Sequence, residues 1–345
     1  MALRGDQKAE LPDLPQRVAD RIEKYVKVSF ATAELDPREL ADDELTLFNL
    51  PPRPDRKAAP HAYRNWQRAM TPPLNLPREP ERIADLFAIL PKQTRLARFG
   101  NARSLGESSR NWSGAYVRAN PTQHICLAQG TWTVTETRAP KGVNEYAVST
   151  WVGLDGHHPA SRSMPQLGIQ RASLSNPADE WLLAWWQWWV KPDPEGLQVV
   201  IRCMPVAAQD EIYAQVQEIG PAKVSFFMRN MTQNKSFAFA YELPNPWGPL
   251  PSPVHLAVEG RTAEWIVERP LVPRHAPRLG DFGQTLFTDC CAATGSGLGG
   301  PLTDIALDGS RLIKLNEWDN HACPGRLASS ALQEGPDSFA MTFVA

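Results

Sequence analysis

The stretch "RTAEWIVERP", residues 261–270, has the alternation of a β-strand and carries two glutamates. Successive side chains of a strand point to opposite faces, so Trp265 lies on one face with its apolar neighbours. Glu264, Ile266 and Glu268 then share the other face. The apolar face predicts burial in a core. The two carboxylates on the second face are either ordinary solvated charges or part of a site that performs chemistry.

The chain around this strand reads as β-structure from residue 111 onward. Short β-branched or aromatic runs such as "YAVSTWVGL", "LQVVIRCM" and "SFAFAYEL" are separated by Gly, Pro, Asn and Asp, and no convincing helix lies between them. Many short strands with turn residues between them favour an all-β fold, an antiparallel sandwich or a barrel.

The N-terminal part has a different character. Residues 11–30 and 81–90 have helical spacing or composition, and a proline-rich linker lies between them. We therefore predict two units. Residues 1–110 form a mixed helical and irregular extension, a pro-segment or accessory arm, and residues 111–345 form the β-domain.

The charge of the chain is uneven. The whole sequence of 345 residues has a net charge of only −2, which favours neither nucleic acid nor an anionic membrane as a general partner. Residues 53–110 carry 12 Lys and Arg against 5 Asp and Glu, a net charge of +7, and the remainder is acidic. One hypothesis is that this basic segment covers an acidic cleft of the β-domain. The alternative is a solvated arm or an ordered subdomain.

Several familiar signals are absent or incomplete. The first twenty residues lack the apolar core of a Sec signal peptide, and no apolar run approaches the roughly 18 residues of a membrane span. The default expectation is a cytoplasmic protein without a membrane segment, with export by another route left open. The five cysteines, an odd number, do not decide the redox compartment.

Three short motifs suggest cofactor or nucleophile chemistry but lack the required context. "GSGLGG" (295–300) is followed at once by Pro301, where a dinucleotide site needs a helix. "NHACP" matches no common zinc spacing, and "GLDGHHP" (153–159) has no accompanying serine motif. We predict no metal and no cofactor.

The tryptophan-rich run "EWLLAWWQWWV" (180–190) also reads as a strand. Trp185, Gln187 and Trp189 face one way, and Trp186 is among the residues that face the other. Because one face of a sandwich strand meets the opposite sheet, the second aromatic face is predicted to form a surface for an extended peptide or a sugar chain. The alternative is that a covering segment buries both faces.

The order of motifs resembles the glutamic peptidase family, the eqolisins. The motifs run, in order, "NWSGAYV" (111–117), "GTWTV" (130–134), "TWVGLDG" (150–156), "MPQLGIQ" (164–170), "AWWQWW" (184–189), "TAEWIVE" (262–268) and "DFGQTLFTD" (281–289). The resemblance implies an antiparallel, concanavalin-like sandwich of two large curved sheets and an endopeptidase that uses a glutamine and a glutamate. On the matching motifs these are Gln166 and Glu268.

The resemblance further implies a substrate cleft on the same face and a protein or peptide as substrate. The candidate substrate-binding residues are Trp151, Asp155, Trp185, Gln187 and Glu264. A glutamate can take a proton from water and return it to the departing amine, and a glutamine amide can stabilise the oxyanion. Since an ordinary glutamate has a pKa near ~4.3, this pair is expected to favour acidic pH.

The sequence departs from the family at two positions, where Gln187 and Leu183 stand in place of acidic residues. Both changes remove charge near the expected cleft, and they bear on subsite preference and pH profile more than on the reaction itself. Members of the family are often secreted, which the N-terminus here does not indicate. The alternative function is a non-catalytic β-sandwich module that binds glycans or peptides through the tryptophan face.

Overall fold

The fold is that of a computed structural model of the whole chain. The structure describes residues 11–30, 35–89, 108–157, 161–173, 180–190, 198–220, 222–243, 258–270, 277–295, 301–317, 325–332 and 337–344. Three α-helices lie within these ranges: α1 (Gln16–Tyr25), α2 (Asp42–Leu47) and α3 (Pro60–Ala69). All three belong to the N-terminal part, so the described residues after Asn111 contain strands and no α-helix, as predicted.

Strands make up about half of the described residues. They are β1 (Val26–Val28), β2 (Phe87–Ile89), β3 (Ser108–Ser109), β4 (Trp112–Arg118), β5 (Ile125–Thr133), β6 (Tyr146–Leu154), β7 (Ser163–Ser173), β8 (Trp181–Val190), β9 (Val199–Ile201), β10 (Glu211–Gly220), β11 (Lys223–Asn230), β12 (Lys235–Glu242), β13 (Thr262–Glu268), β14 (Arg278–Leu279), β15 (Gln284–Thr294), β16 (Thr303–Ile305), β17 (Arg311–Glu317), β18 (Gly325–Leu332) and β19 (Phe339–Phe343).

The strands form two sheets. The first sheet has the order β1, β12, β11, β10, β5, β15, β19, β18, β17, and the second has the order β4, β13, β6, β7, β8, β9, β2. Strand β17 also pairs with β4, so one strand joins the two sheets. Among the described pairings only β3 with β17 and β14 with β6 are parallel. The predicted antiparallel β-sandwich is confirmed.

The main core lies between the two sheets. Trp186 of the second sheet packs against Phe226 and Phe239 of the first, with ring centroids 5.6 and 5.1 Å away. Trp265 of β13 is fully buried, and its indole Nε1 donates a hydrogen bond to the carbonyl of Gln129, 2.8 Å away on the first sheet. The apolar face predicted for residues 261–270 is thus the core face.

Two predicted helical segments differ from the prediction. Helix α1 stops at Tyr25 because residues 26–28 pair with β12 at the edge of the first sheet. Of residues 81–90, those up to 89 are described, and they form only the 3₁₀ turn Ile83–Leu86, after which β2 pairs with β9. In both places an unpaired sheet edge offers backbone hydrogen bonds, and these outweigh a weak local helix preference.

The N-terminal extension covers the outer face of the first sheet. Trp66 of α3 is buried with Met70 against Tyr213 and Phe227 of that sheet. Arg68 makes ion pairs with Glu211 and Asp289, and the carboxylate of Asp304 accepts hydrogen bonds from the first backbone N–H groups of α3, those of His61 and Ala62. Of these contacts, only the two ion pairs of Arg68 join a basic side chain of residues 53–89 to the β-domain.

The position of this contact corrects one hypothesis. The candidate cleft residues lie on the second sheet, whereas α3 and the residues around it pack on the opposite side of the sandwich. Residues 87–89 extend the edge of the second sheet as β2. The hypothesis that residues 53–89 cover the cleft is wrong. The rest of the basic segment, 90–107, lies outside the described residues.

Candidate active site

The outer face of the second sheet collects the candidate residues. On β13, Trp265 enters the core, while Glu264, Ile266 and Glu268 lie on the outer face, as their alternation predicts. On β8, Trp186 enters the core and Trp185 packs on the outer face. The face assignments made from these two strands alone therefore hold.

The register gives the relative positions of Gln166 and Glu268. Both strands that carry them pair with β6: Gln166 lies opposite Gly153, and Glu268 lies opposite Ser149. Ser149, Trp151 and Gly153 alternate with core residues of β6, so all five share one face. Trp151 stands midway between the two positions. Gln166 and Glu268 therefore lie on either side of the Trp151 position.

Both oxygens of the Glu268 carboxylate accept hydrogen bonds. Asn111 Nδ2 donates to Oε1 at 3.0 Å, and Trp151 Nε1 donates to Oε2 at 2.8 Å. The side chain is only 9% exposed. Burial raises the pKa of Glu268 to about 7, and the two hydrogen bonds, which favour the anion, offset part of that rise. A carboxylate with this pKa can exchange a proton near neutrality.

The Gln166 side chain is 1% exposed and is held by a second amide. Its Nε2 donates to Gln187 Oε1 at 2.8 Å across the β7–β8 pair. Its Oε1 is buried and has no hydrogen-bond partner among the described residues. One hydrogen of the amide is therefore engaged, and the carbonyl oxygen remains able to accept a bond.

Gly168 makes room for Trp151. The two residues are opposite each other on β7 and β6, and a Cβ on Gly168 would lie 2.5 Å from Trp151 Cβ and 2.3 Å from the carbonyl oxygen of Thr150. A side chain there would displace the indole that donates to Glu268. Sequence reasoning missed Gly168, although it follows the candidate glutamine in the "PQLG" motif.

Glu264 is the second carboxylate of the opening stretch, and it is completely buried. Its Oε1 accepts from the backbone N–H of His157 at 2.8 Å and from Thr262 Oγ1 at 2.9 Å, and its Oε2 has no partner among the described residues. Burial raises its pKa well above the usual value, so the protonated form is favoured. His157 in turn stacks on Tyr116 with ring centroids 3.8 Å apart.

The Asp155 side chain stabilises a turn and does not lie on the substrate face. It is fully buried with a positive φ of 60°, and its carboxylate accepts hydrogen bonds from the backbone N–H groups of Glu259, Gly260 and Arg261 at 2.6, 3.1 and 2.8 Å. These residues lead into β13. Burial raises the Asp155 pKa to about 6. The side chain thus fixes the turn before the strand that carries Glu268.

The tryptophans are less exposed than predicted. Trp151 is fully buried and Trp185 is 2% exposed, within a cluster that includes Trp112, Ile266 and Ile313. Both faces of β8 are therefore largely buried at these positions, the alternative considered for this run. The reason is tertiary: β4 and β17 bring apolar side chains onto the same outer face.

No group of three or more His, Cys, Asp or Glu side chains suited to a metal ion occurs in the described ranges. The "NHACP" segment falls outside those ranges. Among the helices of the described residues, none has the length and apolar character needed to cross a membrane.

Comparison with protein families gives a match over residues 110–339, to the peptidase A4 family. The chain belongs to the peptidase A4 family. The predicted recognition and the assignment as a glutamic-type peptidase are confirmed by this match. No curated protein sequence matches the chain.

Solved structures show the fold of this A4 peptidase in other proteins. A crystal structure of scytalido-glutamic peptidase with a transition state analog inhibitor is 16% identical, covers 68% of this chain and 98% of its own, and has a TM-score of 0.52. SCP-B, an eqolisin solved with the tripeptide Ala-Ile-His, is 17% identical with the same coverage and a TM-score of 0.51. At these identities the likeness establishes the shared sandwich.

Proposed function

We propose that this A4 peptidase is an endopeptidase in which Glu268 activates water and Gln166 stabilises the oxyanion. The observation that carries the proposal is the pair of hydrogen bonds that hold the buried Glu268 carboxylate on the same face as Gln166. A non-catalytic binding module has no need of a buried carboxylate with a pKa near neutrality. SCP-B, which was solved with a tripeptide, supports a peptide as the ligand of this chain.

The proposed reaction balances within the two side chains and one water. The Glu268 carboxylate takes a proton from water as the oxygen attacks the scissile carbonyl carbon. The Gln166 amide donates to the oxyanion that forms, a contribution of roughly 3–4 kcal/mol in comparable sites. Protonated Glu268 then returns its proton to the departing amine as the C–N bond breaks. Neither a metal nor a histidine takes part in these steps.

The strand register sets the separation between Glu268 and Gln166, which the mechanism must span. Ser149 and Gly153 are four residues apart on β6, about 13 Å along an ideal strand, and one strand separates β13 from β7. The scissile bond must therefore lie over β6 between the two positions, with Glu268 and Gln166 reaching it from either side. Joint action on one substrate requires the outer face to be concave, as the curved sheets of the family imply.

The direct test is digestion of an unfolded protein, with the peptides identified by mass spectrometry between pH 3 and pH 9. Internal cleavage by the wild-type chain, and its loss in a Glu268→Gln variant, supports the endopeptidase. Binding of peptides without cleavage at every pH would favour the binding module instead.

The pH dependence should depart from the acid preference expected of an ordinary glutamate. The base must be ionised, and burial raises the Glu268 pKa to about 7. Below that pH the protonated fraction grows, so kcat/KM should fall about tenfold for each pH unit well below 7 and level off above it. The measurement is kcat/KM for a fluorogenic peptide from pH 4 to pH 9. A plateau that extends down to pH 4 would contradict this assignment of the base.

Trp185 is proposed to form the floor of the substrate site beside Gln166, because it lies opposite Gly168 on the outer face. Trp185→Ala should lower kcat/KM about 30-fold, the equivalent of about 2 kcal/mol for a buried aromatic anchor. The matched control is Trp186→Ala on the same strand, which should lower the melting temperature more and change the kinetics of the remaining folded enzyme less. Unchanged kinetics in Trp185→Ala would leave Trp185 only a packing role.

A further inference from the structure

A short turn joins the N-terminal extension to the sandwich. Its last residue, Asn111, contacts the proposed catalytic carboxylate, Glu268. Strand β3, which contains Ser109, pairs with β17 through Lys314 and Leu315. The Ser109 hydroxyl lies at the centre of the turn that follows. It donates to Asn111 Oδ1 at 3.0 Å and accepts from the backbone N–H groups of Asn111 and Trp112 at 3.3 and 3.1 Å.

Asn111 links this turn to Glu268 and to the residue after it by hydrogen bonds. Its Nδ2 donates to Glu268 Oε1, and its backbone carbonyl accepts from the N–H of Arg269 at 2.7 Å. The Arg269 guanidinium also donates to the carbonyl of Arg110 at 2.9 Å. The turn is therefore hydrogen-bonded to the Glu268 side chain and to the backbone of Arg269, the next residue.

The bond from Ser109 decides which end of the Asn111 amide faces the carboxylate. An asparagine amide has a donor end and an acceptor end, and a flip exchanges them. Because the Ser109 hydroxyl donates to Oδ1, the NH₂ group is directed to Glu268. Without that hydroxyl the flipped amide would place an oxygen against the carboxylate, which disfavours the anion.

We propose that Ser109 is a positioning residue for the peptidase reaction, which acts by holding the Asn111 amide as a donor to Glu268. The proposal rests on the proposed role of Glu268 as the base. It also places the last two residues of the extension within the catalytic unit. A chain that began at Asn111, at the boundary predicted from sequence, would lack this hydroxyl.

Other charged groups lie on the elements around Glu268. Arg269 follows it on the chain, Arg110 is in the turn, and Lys314 of β17 lies opposite Ser108. Glu264 is four residues away on β13, Arg311 is at the same level as Glu264, opposite Tyr116, and Arg118 lies two residues farther along, opposite Thr262. On β6 the residues of this face are Ser149, Trp151 and Gly153, none of which titrates. These groups stay in place when Ser109 is changed, so a shifted titration of Glu268 reports the loss of the ordered donor.

The test uses the full chain with Ser109→Ala, Ser109→Thr and the control Ser113→Ala. Ser113 is also buried, and its hydroxyl bonds to Ser330 Oγ at 2.8 Å, away from Glu268. The titration of Glu268 is followed by NMR through the Trp151 Nε1–H signal, which is assigned among the 12 tryptophans by its loss in Trp151→Phe.

Ser109→Ala should raise the midpoint of that titration by about one pH unit, the size expected for one hydrogen bond to a charged group. Its kcat/KM should be about tenfold below wild type on the acid side of the midpoint and near wild type above pH 9. Ser109→Thr, which keeps the hydroxyl, should restore both, and Ser113→Ala should change neither. Asn111→Asp, which sets a carboxylate beside Glu268, should move the midpoint further upward than Ser109→Ala.

An equal loss of activity at all pH values with an unmoved midpoint would overturn the positioning role of Ser109. The proposed function fails separately, if Glu268→Gln still cleaves peptides. In that case the NMR midpoint, which needs no catalysis, still decides whether Ser109 controls the ionisation of Glu268.

Discussion

Replacement of Glu268 by glutamine should lower kcat/KM for peptide hydrolysis by about 10²- to 10⁴-fold, the contribution of a positioned general acid and base. Glutamine has nearly the same shape but can neither take a proton from water nor return one to the amine. The neutral amide removes the cost of burying a charge, but its NH₂ end faces one of the two donors, Asn111 Nδ2 or Trp151 Nε1, and that hydrogen bond is lost. These two effects on stability oppose each other. The melting temperature should therefore change by only a few degrees.

The matched control is Glu264→Gln. Glu264 lies on the same strand face and is also buried, yet its Oε1 is engaged by His157 and Thr262. One carboxylate suffices for both proton transfers, so Glu264→Gln should lower activity less than tenfold. Gln166→Ala should lose about 10²- to 10³-fold through the lost oxyanion donor.

The reverse result would reassign the base. Glu264 is in line with Gln166 through Gly153, so its side chain is nearer to Gln166 in register than that of Glu268. If Glu264→Gln abolishes hydrolysis and Glu268→Gln retains it, Glu264 is the base and the mechanism proposed above is wrong. Equal rates for wild type and both variants would remove the carboxylates from the reaction altogether.

Deletion of residues 1–107 should abolish folding of the sandwich rather than activate the enzyme. The deletion keeps Ser109 but removes the three helices and the edge strands β1 and β2. Five large buried side chains go with it: Leu45, Leu50, Trp66, Met70 and Leu74. At roughly 1.5–3 kcal/mol each, their burial is on the order of 10 kcal/mol, comparable with the whole stability of an ordinary domain.

The deletion also removes hydrogen bonds, in addition to the buried apolar side chains. The buried guanidinium of Arg229 donates to the backbone carbonyls of Ala69 and Thr71, so the deletion removes both of these acceptors. Asp304 similarly loses the N–H groups at the start of α3. The truncated chain should aggregate or bind a hydrophobic dye, as judged by size-exclusion chromatography and far-UV circular dichroism.

A graded variant keeps this prediction testable if the deletion gives no soluble protein. Trp66→Ala should cost about 3–5 kcal/mol of unfolding free energy, as for other large core truncations, with little change in kcat/KM of the folded enzyme. Autoinhibition by the extension predicts the opposite result, a truncated chain that is folded and more active. That outcome, with an unchanged melting temperature, would show that residues 1–107 are a removable cover.

The sequence by itself separated the two faces of the strands in residues 261–270 and 180–190. The alternation of residues 261–270 separated Trp265 from the two glutamates, and the run 180–190 separated Trp186 from Trp185. Both separations hold in the structure. The physical reason is local: successive Cβ atoms of an extended chain point in opposite directions whatever the strand packs against. The motif order likewise identified the family, because it is a property of the sequence alone.

Only the tertiary structure decided what meets each face. Asn111 and Glu268 are 157 positions apart, and their hydrogen bond exists because β4 and β13 are neighbours in the second sheet. The same pairing buries Glu268 and raises its pKa to about 7, against the acid preference inferred from an ordinary glutamate. The charge of residues 53–110 predicted attraction to the sandwich but not that α3 packs on the first sheet. Net charge has no direction, whereas the apolar side chains of α3 match one outer face.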